Sequence, residues 1–343
     1  MAADSSPPPG DNAGSAPDPP SAASPRADSP APGGAPEDAP GGLPRRVALT
    51  GTSGLIGGAL VDSLRTEGCE VVRLVRRAPG ADDEARWDPT GQDRTTNIAA
   101  LAGCDAVVHM AGAGVGDHRW TSRYKKVIRD SRVLGTTAIS EAIAAQNTPP
   151  RVFLCGSAIG YYGDTGDRPV DEDADVGEGF LADVCVDWEG AAEAARRAGV
   201  RTIHLRTGHV VARQGGAWGR LFPLFRAGIG GPLGSGRQYW SVISLADYLA
   251  ATRFLLTESN ALEGPVNFTG PQPVTNREIA KIMGRVLHRP AILRVPKFAL
   301  RVVVGEFAED IVGSQRVLPA RLQTAGFTFR HPTAEAAIRA ALE

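Results

Sequence analysis

Arg45-Arg46-Val47-Ala48-Leu49-Thr50-Gly51-Thr52-Ser53-Gly54-Leu55-Ile56-Gly57-Gly58 is the stretch that decides the fold. A short apolar run ends on three glycines at every third position, and an amphipathic segment then continues to Glu67. Gly68 stops it, and a second apolar run, Glu70-Val71-Val72-Arg73-Leu74-Val75, follows. This order predicts a strand, a glycine turn, a helix and a parallel strand. Such a turn lets the backbone approach a pyrophosphate, its third glycine lets helix pack closely on strand, and the helix N-terminus faces the phosphates. Gly51, Thr52, Ser53, Gly54, Leu55, Ile56 and Gly57 are therefore expected to cradle a dinucleotide.

The end of the second strand selects between cofactors. An NAD site commonly presents a carboxylate there to the ribose hydroxyls, whereas Val75 is followed by Arg76 and Arg77. Either guanidinium suits bidentate contact with a 2'-phosphate, so NADP(H) is expected over NAD(H). His109-Met110-Ala111-Gly112-Ala113-Gly114 closes another apolar run. His109, Ala111 and Gly112 are further cofactor-side candidates, with a satisfied core histidine as the other reading of His109.

Outward from this unit the alternation continues. Asp105 to Met110, Arg151 to Cys155 and Arg201 to Leu205 read as strands, separated by helical patterns over Ser122 to Ala145 and Leu181 to Arg197. Continuous apolar strands alternating with helices predict an α/β, Rossmann-like parallel sheet with helices on both faces. From about Val211 glycines multiply among Trp218, Phe222, Phe225 and Trp240, which reads as a partly irregular lobe. A run at Tyr239 to Ser244, helices over Leu245 to Leu256 and Asn276 to Leu287, and a strand at Pro265 to Thr269 follow. The C-terminal portion is mainly helical by pattern, with an extended piece at Gly326 to Phe329. The domains are thus a tail over 1–44, an NADP-binding core over 45–210, and over 211–343 a smaller substrate lobe containing returning core elements and a C-terminal helical unit. The tail holds 12 of the chain's 26 prolines and no aromatic residue. Such a composition buries too little apolar area to offset its ordering entropy.

Composition narrows the partners. A formal charge of −1 provides no broad positive field, which argues against nucleic acid. Cys69, Cys104, Cys155 and Cys185 are far apart in sequence, as in a reduced compartment. No signal, transit or membrane-spanning pattern is visible, so a cytoplasmic monomer or homodimer without membrane partners is expected. The histidines form no metal-ligand spacing, and no metal is expected.

Further stretches carry a resemblance: Arg119-Trp120-Thr121, Lys125 with Ser131-Arg132, Ser157-Ala158-Ile159-Gly160-Tyr161-Tyr162-Gly163, Phe180-Leu181-Ala182, Trp188-Glu189, Gly230 to Gly236, and Ser314-Gln315-Arg316-Val317. With the glycine turn, they make the chain resemble an atypical member of the extended short-chain dehydrogenase/reductase superfamily. It is most similar to the poorly characterised epimerase or oxidoreductase-like proteins with a C-terminal helical domain of unknown function. The resemblance spans Arg46 to the C-terminus and implies a Ser-Tyr-Lys proton-transfer set. Aligning Tyr162-Gly163 and Glu189 with the family's landmarks puts Ala158, Leu181 and Cys185 at those three positions. None of the three usual groups is present. Leucine donates no proton, and without the lysine a low-pKa phenolate loses its supporting cation.

Replacement groups are sought nearby. Tyr161 and Tyr162, beyond the strand that ends near Cys155, are candidate proton donors or substrate contacts. Cys185 is a candidate nucleophile or acid, and Ser157 could orient cofactor or substrate. Trp120, Lys125, Arg132, Trp218 and Trp240 are candidate substrate contacts; Gln315 and Arg316 could close the same pocket. The reading is an NADP(H)-dependent oxidoreductase or isomerase acting on a small organic substrate, with hydroxylated or anionic compounds as candidates, by nonstandard proton transfer. The alternative is a noncatalytic NADP(H) sensor or interaction protein, for which a plugged pocket is expected.

Overall fold

The structure is a computed structural model that describes residues 42–257 and 261–343. All of the expected tail except 42–44 lies outside the described residues. Strand β1 (Arg46–Leu49) leads through the glycine turn into α1 (Leu55–Thr66), whose buried face is Gly57, Leu60, Val61 and Leu64. That spacing brings four residues onto one helical stripe. Gly68 takes a positive φ of 86°, and the chain returns as β2 (Glu70–Val75), parallel to β1. Two short elements, β3 (Glu84–Arg86) and α2 (Arg94–Ala100), precede β4 (Ala106–His109). Asp93 caps α2 by accepting the Thr96 N–H.

Helix α3 (Ser122–Ala144), capped by Thr121, crosses to β5 (Val152–Ala158), which runs into a single 3-10 turn at Ile159–Tyr162. The expected long helix after it is divided into α4 (Phe180–Gly190) and α5 (Glu193–Arg197). Next come β6 (Arg201–Thr207), β7 (His209–Val211) and α6 (Gly216–Arg226). Strands β8 (Tyr239–Trp240) and β9 (Val242–Ser244) divide the run expected as one and join two different small sheets. Helix α7 (Leu245–Leu256), β10 (Gly264–Phe268), β11 (Val274–Thr275) and α8 (Asn276–Leu287) follow. The C-terminal unit holds α9 (Lys297–Val304), a 3-10 turn, α10 (Ala308–Val312), α11 (Ala320–Thr324) and α12 (Ala334–Ala340).

The main sheet has seven parallel strands in the order β10-β6-β5-β4-β1-β2-β3. Its two faces are covered by separate apolar cores. Leu60, Leu64, Tyr248 and Leu255 pack on one, while Ile139, Ile143, Trp188 and Ala195 pack on the other. Burial on both sides explains why the strands are apolar throughout. Because β1 continues to β2 on one side and has β4 on the other, the strand order reverses between β1 and β4. A crevice opens there beyond the strands' C-terminal ends.

Two further details depart from the sequence reading. Residues 216–226, expected within an irregular lobe, are helical despite Gly219 and Pro223, because Trp218, Phe222 and Phe225 bury one face against α8 and α12. Residues 326–329 form no strand. Phe327 instead packs on Phe254 and Phe329, with ring centroids 5.5 and 4.9 Å apart.

Candidate cofactor cleft and substrate cavity

The glycine turn is closed by sterics. Gly51 has a positive φ of 73°, and a β-carbon on it would lie 3.0 Å from the Met110 carbonyl carbon. A β-carbon on Gly57 would meet the Gly51 carbonyl oxygen at 2.2 Å. These contacts hold α1 against β1 and bring the loop after β4 alongside the turn. Gly54, the N-cap before α1, has no side chain to cap the helix, so its first-turn amides remain open to an anion.

Thr50 ties the two loops together. Its Oγ1 accepts the Met110 and Ala111 N–H groups at 3.0 and 3.2 Å and lies 2.8 Å from His109 Nδ1. With two N–H donors already on the oxygen, the hydroxyl proton points to Nδ1, which assigns the imidazole's own proton to Nε2. Burial pushes His109 down to about 3, and Trp87 meets it edge-on. His109 therefore shapes the cleft from behind, as a neutral core residue. Ala111 and Gly112 border the cleft itself, with Gly112 packed under the Arg132 guanidinium.

The paired arginines take different places. Both terminal nitrogens of Arg77 lie 2.7 Å from the Glu84 carboxylate, which also accepts the Gly80 N–H. The Arg77 hydrogen bonds, then that amide, hold Glu84 down to about 2. Arg76 is exposed, and its guanidinium has no ion pair or hydrogen bond among the described residues.

Beyond the C-terminal ends of β5 and β6 lies a cavity of about 680 Å³, bordered by α4, α6 and the C-terminal unit. Ile56 and Met110 connect it with the glycine-turn side, and Gly156, Ala158 and Gly160 form a floor of small residues. Of the candidate residues, Ile56, Arg132, Ser157, Cys185, Trp240 and Gln315 line it. Leu181 and Cys185, four apart on α4, do so together. Burial pushes the Cys185 thiol up to about 11, despite Arg132 nearby, so it is not a thiolate at neutral pH.

Tyr161, Tyr162, Trp120, Lys125 and Trp218 are not among the lining residues. The Tyr162 hydroxyl donates to Asn267 Oδ1 at 2.8 Å and accepts from Arg206 at 2.9 Å. Burial first, against the opposing charge of Arg206, pushes it up to about 12. Tyr161 lies under the same guanidinium, 3.5 Å from its ring centroid. Arg206 also forks Glu189 at 2.8 and 3.0 Å, and Glu189 accepts the Ser157 hydroxyl at 2.6 Å. Burial raises Glu189, but the Arg206 hydrogen bonds and charge outweigh it and hold the carboxyl below its ordinary range. Tyr162 thus belongs to a buried polar network behind the cavity floor, and the half-buried Tyr161 touches it through its ring packed on Arg206.

Trp120 and Lys125 belong to a seam with the C-terminal unit. Trp120 packs on Phe307 and Phe180, each 5.1 Å away. Lys125 sits over the Trp120 and Phe180 rings and pairs with Glu306. Arg119 adds hydrogen bonds to the carbonyls of Val302 and Val303 at the end of α9. Trp218 is buried in the core of the lobe beside Trp240.

His209, Tyr248 and Asp310 are among the lining residues that were not singled out from sequence. His209 stacks on Trp240 with centroids 4.8 Å apart, and burial pushes it down to about 4. Its signal was available, since it directly follows the Thr207-Gly208 end of a core strand. Tyr248 is buried, with its hydroxyl 3.2 Å from Thr207 Oγ1. Among the described residues Asp310 is the only carboxylate lining the cavity, and burial, aided by the negative charge of Glu306, pushes it up to about 6.

Comparison with known proteins agrees with this architecture. Residues 47–268 match the NAD dependent epimerase/dehydratase family, and residues 295–341 match a domain of unknown function (DUF1731). An epimerase family protein of Mycobacterium leprae is 44% identical over 288 residues, covering 84% of this chain and 92% of that one. Among solved structures, human epimerase family protein SDR39U1 with NADPH is 30% identical, with a TM-score of 0.79 over 87% of this chain and 99% of that one. A nucleoside-diphosphate sugar epimerase of Corynebacterium glutamicum is 34% identical, with a TM-score of 0.71 over 87% of this chain and 58% of that one. The chain belongs to the NAD(P)-dependent epimerase/dehydratase family, in the group that carries the C-terminal helical domain and includes proteins similar to SDR39U1.

Proposed function

We propose that the protein is an NADP(H)-dependent oxidoreductase or epimerase-like enzyme acting on a small organic substrate held in the cavity. The observation that carries the cofactor reading is the sterically closed glycine turn, with open α1 amides and unpaired Arg76 at the end of β2. The residues fit the group: Gly51 to Gly57 would hold the pyrophosphate, Arg76 the 2'-phosphate, and Ala111 and Gly112 the adenosine side. The NADPH in the human relative supports the same reading. A nicotinamide held there would supply hydride-transfer chemistry beside the small residues Gly156, Ala158 and Gly160.

The chain's own residues manage the proton. Leu181 has no proton to move, and Cys185 holds its own too tightly at neutral pH. Asp310 is the acid/base group we assign, because a carboxyl near 6 in an apolar wall changes protonation close to working pH. His209, neutral and stacked on Trp240, is a hydrogen-bonding group for the substrate oxygen. Arg132 stands 4.9 Å over the Trp188 ring without a carboxylate partner among the described residues, and offers its cation to the anionic side of cofactor or substrate.

A noncatalytic sensor calls for a filled substrate space, and a cavity of about 680 Å³ supports the enzymatic reading instead. Titrating purified protein with NADPH and with NADH, followed by nicotinamide fluorescence, tests the cofactor assignment. Tighter NADPH binding is expected; equal affinity or a preference for NADH overturns it.

A further inference from the structure

The cavity wall is hydrocarbon on nearly every side. Leu181 of α4 faces Leu221 and Leu224 of α6, with Leu300, Val304 and Phe307 contributed by the C-terminal unit. Most polar side chains at its border are already occupied. Ser157 donates to Glu189, Thr207 donates to the Leu205 carbonyl beside Tyr248, and Arg220 reaches the Gly116 carbonyl. Arg132 donates to the carbonyls of Ala113 and Ile128. Among the described residues, the side chains of His209, Trp240 and Gln315 line the cavity without a hydrogen bond or ion pair, Asp310 bonds only its own backbone N–H, and Arg132 keeps Nε and Nη2 unengaged.

This inventory constrains the ligand. A sugar nucleotide brings two phosphate charges, a base and several hydroxyls, each of which loses water on entry and needs a partner. One cation without a carboxylate partner, Arg132, with the small polar groups of His209, Trp240, Gln315 and Asp310 in an otherwise largely hydrocarbon wall, falls short of that demand. An apolar body with a single oxygen function suits this wall, since its chain contacts the leucines while the oxygen reaches His209 or Asp310. Helix α9 extends the apolar character outward: Phe298, Val302 and Val303 are 73%, 70% and 72% exposed on the helix whose Leu300 and Val304 line the cavity.

We infer that the cavity binds a lipophilic carbonyl or alcohol compound, not a sugar nucleotide, with its hydrocarbon against α6 and α9 and its oxygen at the His209–Asp310 side. The inference rests on the reading that the neighbouring cleft takes NADP(H), but its test is separable. Calorimetric titration of the full chain, with and without saturating NADPH, compares the 2-alkanones from 2-hexanone to 2-decanone with UDP-glucose. Each added methylene is expected to tighten binding by about fourfold, the value for one buried CH₂, and UDP-glucose at 1 mM is expected not to bind. The L300Q variant, at a half-buried wall position, should flatten the chain-length series while leaving NADPH affinity within twofold. UDP-glucose binding tighter than any ketone, a flat ketone series in the parent protein, or an unchanged series in L300Q overturns the inference. Failure of NADPH to bind while the ketone series persists on the cofactor-free protein refutes the cofactor reading and leaves this one standing.

Discussion

Replacing Arg76 by glutamine separates the two arginines after β2. Arg77 is engaged with Glu84 through two 2.7 Å contacts, while the Arg76 guanidinium is free to meet a 2'-phosphate. A hydrogen bond to a charged group contributes about 1.5–3 kcal/mol. Arg76 is exposed, so solvent screening places its share near the bottom of that range. At about 1.4 kcal/mol per factor of ten, Arg76→Gln should weaken NADPH binding by roughly tenfold. NADH lacks the 2'-phosphate, and its affinity should change less than twofold.

Fluorescence titration of both cofactors against parent, Arg76→Gln and Arg77→Gln proteins gives the comparison. Raising ionic strength should reduce the parent protein's preference toward that of Arg76→Gln, because the contact is exposed. Arg77→Gln should loosen the β2–β3 edge and lower the melting temperature, with little change in selectivity. Equal losses for NADPH and NADH in Arg76→Gln, or a selective loss in Arg77→Gln only, would refute the assignment.

Other residues make separate predictions. Gly57→Ala places a methyl 2.2 Å from the Gly51 oxygen, so α1 must shift; NADPH binding should fall at least a hundredfold in a protein whose far-ultraviolet circular dichroism is unchanged. Glu189→Gln leaves the Arg206 guanidinium buried without its counter-charge. It should cost about 3–5 kcal/mol, read as a lower urea midpoint at constant slope. Asp310 has a raised pKa in the folded protein, so the native state binds its proton more tightly than the unfolded chain. That contribution is fully present below the ordinary carboxylate range and is lost as pH rises through about 6. Asp310→Asn should therefore gain melting temperature over the parent at pH 8 and show no gain at pH 4; a constant difference between the two pH values contradicts the raised pKa.

The sequence revealed backbone features more readily than side-chain partnerships. Gly51, Gly54 and Gly57 could be placed because backbone approach restricts those positions largely to glycine whatever surrounds them. The core strands were visible because burial on both faces leaves unbroken apolar runs. Helix α6 was hidden because its glycines and proline signal a loop, while the tertiary burial of Trp218, Phe222 and Phe225 that overrides them is nonlocal. The Arg77–Glu84 and Tyr162–Arg206 pairs were invisible for the same reason: a composition with 37 basic and 38 acidic residues does not specify which charges meet. Two adjacent arginines looked equivalent, and two adjacent tyrosines looked available.

The same distinction explains where the substrate chemistry resides. A parallel sheet delivers a phosphate cradle from its own turns, and this chain retains it with the glycines closely packed. Leu181 and Cys185 of α4 give the cavity apolar surface and a thiol whose pKa burial raises. Polar side chains that line the cavity come from other elements: Arg132 from α3, His209 and Trp240 from the segments after β6, and Asp310 and Gln315 from the C-terminal unit. That unit is anchored to the core through Arg119 on the α9 carbonyls, Lys125 with Glu306, and Trp120 on Phe307. Phe307 links both roles, since one residue packs on the seam and lines the cavity. A disturbance of the seam is therefore transmitted to the substrate wall without crossing the glycine turn. Substrate affinity should respond to substitutions at Trp120 and Lys125 although neither lines the cavity, while NADPH affinity should not.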